Sequence, residues 1–147
     1  MEKIKISHEN LGNALKRLEK AIESFNRVRE EGAEKNSLIE IEELETMSRD
    51  SLIKRFEFCL ELFWKYIKKY LVYLKKPSEF NAPRSVIKTA CKVEIILEQD
   101  AEKILEMIDS RNITSHIYKE EMAEIISSNI PEYYKIMLRY FEKLKLI

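Results

Sequence analysis

DSLIKRFEFCLELFWKYIKKYLVYL, residues 50–74, is the stretch on which the fold turns. Placed on a helical wheel, its apolar residues cover an arc of roughly 240°, far beyond the ~100° stripe of an ordinary surface helix. They include Phe56, Phe58, Leu60, Leu62, Phe63, Trp64, Tyr66, Ile67 and Tyr70, with Glu57, Glu61, Lys65 and Lys68 filling most of the remaining strip. Such a helix must be covered on more than one side. Either it is the central helix of a bundle or it carries a subunit interface, for which its aromatic content is suited.

The flanking sequence repeats the helical signal. Leu11, Leu15, Leu18, Ile22 and Phe25 step by 4, 3, 4 and 3, a helical stripe. Ser7 or Asn10 is placed to cap it and Gly32 to close it. Ser37-x-x-Glu40 has the form of a capping box, predicting a short helix before the long one. Lys75-Lys76-Pro77 ends the long helix, and residues 77–82 form a loop. Pro83 suits the first turn of a third helix with Val86, Ile87, Ala90 and Ile95 inward. A fourth starts near Asp100, with Ala101, Ile104, Leu105 and Ile108 apolar. Lys119 to Ile126 is helical again, and Pro131 opens a last helix bearing Tyr133, Met137, Tyr140 and Leu144. No strand alternation and no internal repeat interrupts this pattern. The predicted fold is all-α, an antiparallel up-and-down bundle of four or five principal helices forming one domain over residues 1–147.

Composition agrees and sets limits. Two glycines and three prolines in 147 residues leave room for long helices and few turns. Charged residues make up 35% but balance to a net charge of zero, which argues against a nonspecific nucleic-acid binder and confines any RNA contact to a local patch. Cys59 and Cys91 are isolated and read as core or free thiols of a reducing compartment. Met1 to Lys5 carries no apolar signal region, and no run is long enough to span a membrane. A cytoplasmic chain without a membrane segment is expected.

Several chemistries lack their residues. A bundle di-iron centre needs Glu-x-x-His pairs, and none occurs. Gly12 and Gly32 stand alone, so there is no Gly-rich phosphate loop. Without an Asp-x-Asp pair for two metals, the chain is not expected to transfer nucleotides by itself. Arg84, Lys88 and Lys92 share one helical face, either a solvated surface or a patch that steers a polyanion. Glu61 and Lys65 form a favourable i,i+4 pair read as helix support. His8 has no partners in sequence and is assigned no role.

The octet Arg111-Asn112-Ile113-Thr114-Ser115-His116-Ile117-Tyr118 gathers a fixed cation, an amide, two hydroxyls, an imidazole and a phenol. Arg binds phosphate bidentately at any pH, and His is suited to proton transfer near neutrality. Arg111 and Tyr118 share a helical face, as do Asn112 and His116. Arg111 and His116 diverge by roughly 140° at about 100° per residue. A second copy of the chain could supply the missing partner across that gap. Two readings stand: phosphate-ester chemistry, or a solvated helix face with Tyr118 half-buried.

Two segments together carry a resemblance. Arg55-Phe56-Glu57-Phe58-Cys59-Leu60-Glu61-Leu62-Phe63-Trp64-Lys65 resembles the RFEFxxELxWK helix of the nucleotidyltransferase substrate-binding protein family, and the octet resembles its RNxTSHxY signature. That family lies in the HEPN superfamily. The resemblance implies a HEPN-like four-helix bundle that forms a homodimer and works with a separately encoded minimal nucleotidyltransferase. It implies one of two functions. In one, the chain is a metal-independent toxin ribonuclease, and the nucleotidyltransferase is an antitoxin that silences it by AMPylation. In the other, it is the noncatalytic substrate-binding subunit of a two-component nucleotidyltransferase. For the ribonuclease, Arg111 would hold the scissile phosphate and His116 would act as general base or acid. Asn112 is the polar residue after the arginine, and Tyr118 matches the AMP acceptor. RNA would be the substrate, with no cofactor and no metal. Two positions depart from the family pattern: Phe63 replaces an alanine, and no glycine follows the third helix around Val93–Ile96.

Overall fold

The described residues form five helices: α1 (Glu2–Glu34), α2 (Leu38–Tyr73), α3 (Pro83–Lys92), α4 (Glu98–His116) and α5 (Glu120–Lys143). The computed structural model describes the backbone of residues 2–34, 38–116 and 120–146, and side chains over 2–31, 42–111 and 120–146. Among the described residues there is no strand.

Cross-links between helices fix the topology. The His8 ring lies beside Tyr66, while Arg55 donates to the Arg17 carbonyl, so α1 and α2 run antiparallel. Tyr133 pairs with Glu106, and Tyr140 with Asp100, so α4 and α5 are antiparallel. Phe56 stacks on Tyr133 and Tyr66 donates to the Leu144 carbonyl, so α2 and α5 are parallel, as diagonal members of a four-helix bundle must be. The result is the expected up-and-down bundle, with α3 inserted in the crossover from α2 to α4.

α2 is the central helix: it packs on each of the other four. Leu52, Ile53, Phe56, Cys59, Leu60, Phe63, Trp64, Tyr66, Ile67 and Leu71 are all buried along it. Each such large side chain contributes roughly 1.5–3 kcal/mol of transfer free energy, which explains why the wide apolar arc is retained. Phe58 and Tyr73 are aromatics of this helix left 56% and 47% exposed. Leu11, Leu15, Leu18 and Phe25 are buried on α1, and Val86, Ile87 and Ala90 on α3, as their spacing predicts.

Several boundaries differ from the sequence expectation. Gly32 does not close α1, which continues to Glu34. α2 is already helical from Leu38, so the segment after residue 37 is part of the long helix instead of a short one before it; the Ser37 cap itself lies outside the described residues. α4 begins two residues early, at Glu98. Pro131 does not open a helix but lies inside α5. An interior proline costs about 3 kcal/mol. Ile126, Ile130, Tyr133 and Met137, buried along one face of α5, outweigh that cost by transfer free energy alone. In the turn before it, the hydroxyls of Ser127 and Ser128 donate to the carbonyls of Glu124 and Ile125 at 3.0 and 2.7 Å.

The turn after α3 is made without glycine. Glu94 takes φ 67°, and the amides of Glu94 and Ile95 donate to the carbonyls of Cys91 and Ala90, both at 3.0 Å. Two satisfied carbonyls and the burial of Ile96 offset the ~1 kcal/mol that a side chain costs in the left-handed region. His8, assigned no role from sequence, ties α1 to α5. Its Nε2 lies 2.8 Å from the Phe141 carbonyl oxygen, and its ring stacks on Phe141 at 4.0 Å.

Candidate functional site

Ile104, Ile108 and Arg111 step by 4 and 3 along α4, so the stripe that buries two isoleucines ends in a guanidinium. A cation on a core-facing stripe needs a counter-charge on the helix opposite. Glu61 of α2 supplies it: Arg111 Nη1 donates to Glu61 Oε2. Trp64 Nε1 donates to the same oxygen at 3.1 Å, and Lys65 Nζ lies 3.1 Å from the other. Burial pushes the Glu61 carboxyl up, but the Trp64 and Lys65 hydrogen bonds and the Arg111 and Lys65 charges outweigh it and hold it below its ordinary value. Glu61 is therefore an ionised anchor on a rigid helix.

Beside this pair opens a cleft of about 230 Å³, lined by Leu60, Trp64, Ala82, Pro83, Arg84, Ile108 and Arg111. Its walls are mainly apolar. Arg84, at the start of α3, donates to Asp109 of α4 at 2.5 Å. At the other side of the octet, buried Arg49 of α2 holds Glu120 in the first turn of α5 at 3.0 Å. Ionic links from other helices thus grip the chain at Asp109 and Glu120, on either side of the octet, and at its first residue, Arg111.

Arg111 is the octet residue whose side chain is described, and it is half-buried in this pair. Asn112 and His116 lie on the last turns of α4, so their backbone spacing from Arg111 is helical, but their side chains lie outside the described residues. Tyr118 also lies outside them. Among the described residues, no group of three or more His, Cys, Asp or Glu side chains is gathered as a metal would require. In the basic stripe, Arg84 turns to Asp109 while Lys88 and Lys92 are exposed.

Glu61 is the site residue that sequence reasoning missed, because its pairing with Lys65 explained it locally. A signal was present: an arginine that continues an apolar stripe demands an acid on the facing helix, and Glu57 and Glu61 are the acids of that segment.

The all-α up-and-down bundle has the fold expected of the family that the two sequence segments resemble. The chain belongs to the nucleotidyltransferase substrate binding protein-like family, whose pattern matches residues 7–146. A Thermus thermophilus protein of known structure is 30% identical over 88% of this chain and 99% of its own, with a TM-score of 0.65. The tri-AMPylated Shewanella oneidensis HEPN toxin, in complex with MNT antitoxin, is 15% identical over 90% and 93% of the two chains, also at 0.65. A toxin–antitoxin structure with AMP-PNP is 15% identical over 92% and 97%, at 0.66. The last two likenesses establish the shared fold. No curated protein matches. No helix among the described residues is long and apolar enough to cross a membrane.

Proposed function

We propose that this chain is a metal-independent endoribonuclease toxin, active as a homodimer and silenced by a minimal nucleotidyltransferase that adds AMP to Tyr118. The observation that carries the reading is Arg111, fixed by Glu61 at the mouth of a cleft and on the same helix as His116. A guanidinium held in place can bind a scissile phosphate and stabilise the charge that develops on it. His116 takes the proton of the ribose 2′-hydroxyl. The 2′-oxygen forms its bond to phosphorus, the bond to the 5′-oxygen breaks, and that oxygen leaves with a proton from a second acid. A dimer places two octets together, so the acid and the base come from different copies and the 140° divergence within one helix is no obstacle. Asn112 lies next to Arg111 as a further donor to the phosphate. The partner assignment follows the HEPN toxin–MNT antitoxin complex and the toxin–antitoxin structure with AMP-PNP that share the fold.

The test is an RNA cleavage assay in chelator, comparing the wild type with His116→Ala. Cleavage by the wild type alone supports the reading. Cleavage that survives in the variant removes His116 from the mechanism. A second reading rests on the description of the family itself: a noncatalytic substrate-binding subunit of a two-component nucleotidyltransferase. It predicts no cleavage by either protein, on samples whose intact mass shows no modification.

A further inference from the structure

Two adjoining grooves open between the first turns of α1 and the C-terminal half of α2. One, of about 260 Å³, is lined by Lys3, Ile4, Lys68, Lys69, Val72 and Tyr73. The other, of about 240 Å³, shares Lys3 and Lys69 and adds Ile6, Asn10, Leu62 and Lys65. Together they form one trough with four ammonium groups along it and no carboxylate among its described lining residues. The chain balances 26 basic against 26 acidic side chains, so an acid-free row of lysines does not follow from composition. Lys65 is paired with Glu61, whereas Lys3, Lys68 and Lys69 form no ion pair among the described residues. Like charges gathered in this way repel, and an anion seated among them relieves the repulsion. We propose that this trough binds single-stranded RNA to one side of the cleaved bond, with phosphates on the lysines and a base on Tyr73. The proposal rests on the reading of the chain as a ribonuclease and adds to it the surface that holds the flanking strand.

The choice of ligand follows from the order of the lining. Lys65 and Tyr73 are eight residues apart, about 12 Å along α2. Lys75 and Lys76, both exposed, carry the positive charge further. A row of charge of this length fits a ligand with charge in a row, and a lone anion would fill a fraction of it. Val72 and Tyr73 are exposed beside the lysines, and Tyr70 braces the Tyr73 ring with centroids 6.3 Å apart. Lysines interleaved with an exposed aromatic ring are the make-up of a single-strand site, where bases stack and the backbone follows the charge. A concavity between two helices also suits a strand better than a flat bilayer. Position in the fold says which strand. Lys65 bonds the same carboxylate that aims Arg111. RNA leaving the phosphate on Arg111 therefore meets Lys65 first, then Lys69 and Lys68, with Lys3 facing them from α1.

Fluorescence anisotropy of a labelled 2′-O-methyl oligonucleotide, which is not cleaved, reads binding to the intact protein. Wild type is compared with Lys68→Gln/Lys69→Gln and with Lys88→Gln/Lys92→Gln, which removes the same charge from exposed positions on α3. The trough variant is expected to bind about ten-fold more weakly, with a slope of log affinity on log salt shallower by about 1.4, as two lost single-strand contacts give. The α3 variant is expected to stay close to wild type. Tyr73→Ala is expected to weaken binding about five-fold with the salt slope unchanged. Wild-type affinity in Lys68→Gln/Lys69→Gln overturns the proposal, as does equal weakening by the two lysine pairs, which would reduce the trough to a general field. Absence of binding by wild type at low salt overturns it too. Poly-glutamate bound through Lys68 and Lys69, with no binding of RNA, would transfer the trough to an acidic protein. Cleavage is read separately. RNA held in the trough by a protein that never cuts it keeps the trough and rejects the ribonuclease reading. Unchanged binding and cleavage in the trough variant reject the trough alone.

Discussion

Arg111 of α4 and Glu61 of α2, fifty residues apart in sequence, are joined in an ion pair whose acid is also held by Trp64 and Lys65. Three donors on one carboxylate make Glu61 a fixed point, and Arg111 is aimed by it. Glu61→Gln keeps an acceptor for Trp64 but removes the charge. Under the proposed function, RNA cleavage by the variant is expected to fall about ten- to a hundred-fold with the fold intact, because Arg111 loses its orientation. Stability carries an independent signature. The folded pKa of Glu61 lies below its ordinary value of 4.5, so its contribution is fully present above that pH and is lost as pH falls through the folded value. Urea midpoints for wild type and variant should therefore differ above pH 4.5 and converge as pH falls below it. A gap that stays constant across that pH would show that the carboxylate charge does not stabilise the fold.

Tyr140 secures the other end of α4. Its hydroxyl donates to buried Asp100 at 2.5 Å and accepts from the Leu97 amide at 3.1 Å. Burial, and then the bond to Asp100, push the phenol up to about 12, so it remains a donor across the neutral range. Tyr140→Phe strips one partner from a buried carboxylate and the acceptor from an amide. The expected loss is about 1–3 kcal/mol by urea denaturation. A loss of less than about 0.5 kcal/mol would place the variant among ordinary surface changes and remove this pair from the bundle's supports.

Gly12 marks a close approach of α1 to α5. A Cβ there would lie 2.8 Å from Cζ of Phe141, a ring that is itself stacked on His8. Two effects oppose each other in Gly12→Ala. Helix propensity favours alanine by about 1 kcal/mol. Overpacking against the ring, which is stacked on His8, costs about 1–3 kcal/mol. The clash is expected to win in the wild-type background. With Phe141→Leu the sign should reverse and Gly12→Ala should stabilise. Equal effects of Gly12→Ala in both backgrounds would show that the ring yields freely.

The sequence made the helices and the direction of the bundle legible because burial here is periodic. The α2 arc, the Leu11–Leu18 stripe and Val86–Ala90 are local patterns with one solution. What it concealed depends on partners distant along the chain. Pro131 looked like a helix start because a propensity argument weighs one residue, whereas α5 is held by the buried face around it. His8 looked idle because Phe141 lies 133 residues away. Glu61 looked like helix support because Lys65 is a sufficient local partner, and only the packing of α2 against α4 brings Arg111 to it. Arg111 stood out in the sequence as the fixed cation of the octet, with a solvated helix face as the other reading.

Tyr118 provides the last prediction. Under the proposed function its phenol oxygen attacks the α-phosphorus of ATP on the partner, pyrophosphate leaves, and an AMP ester remains. In sequence the residue is two positions past His116 and closes the octet, so the added phosphate belongs to the octet itself. A new phosphodiester anion there competes with RNA for Arg111, which is how modification would silence cleavage. The purified chain incubated with an active minimal nucleotidyltransferase and ATP is expected to gain one or more AMP units by intact mass. Cleavage activity should fall in step with that gain, and Tyr118→Phe should block both changes. If mass rises in Tyr118→Phe as in wild type, another residue is the acceptor. If wild-type mass stays unchanged with a partner known to be active, the antitoxin mechanism does not apply to this pair.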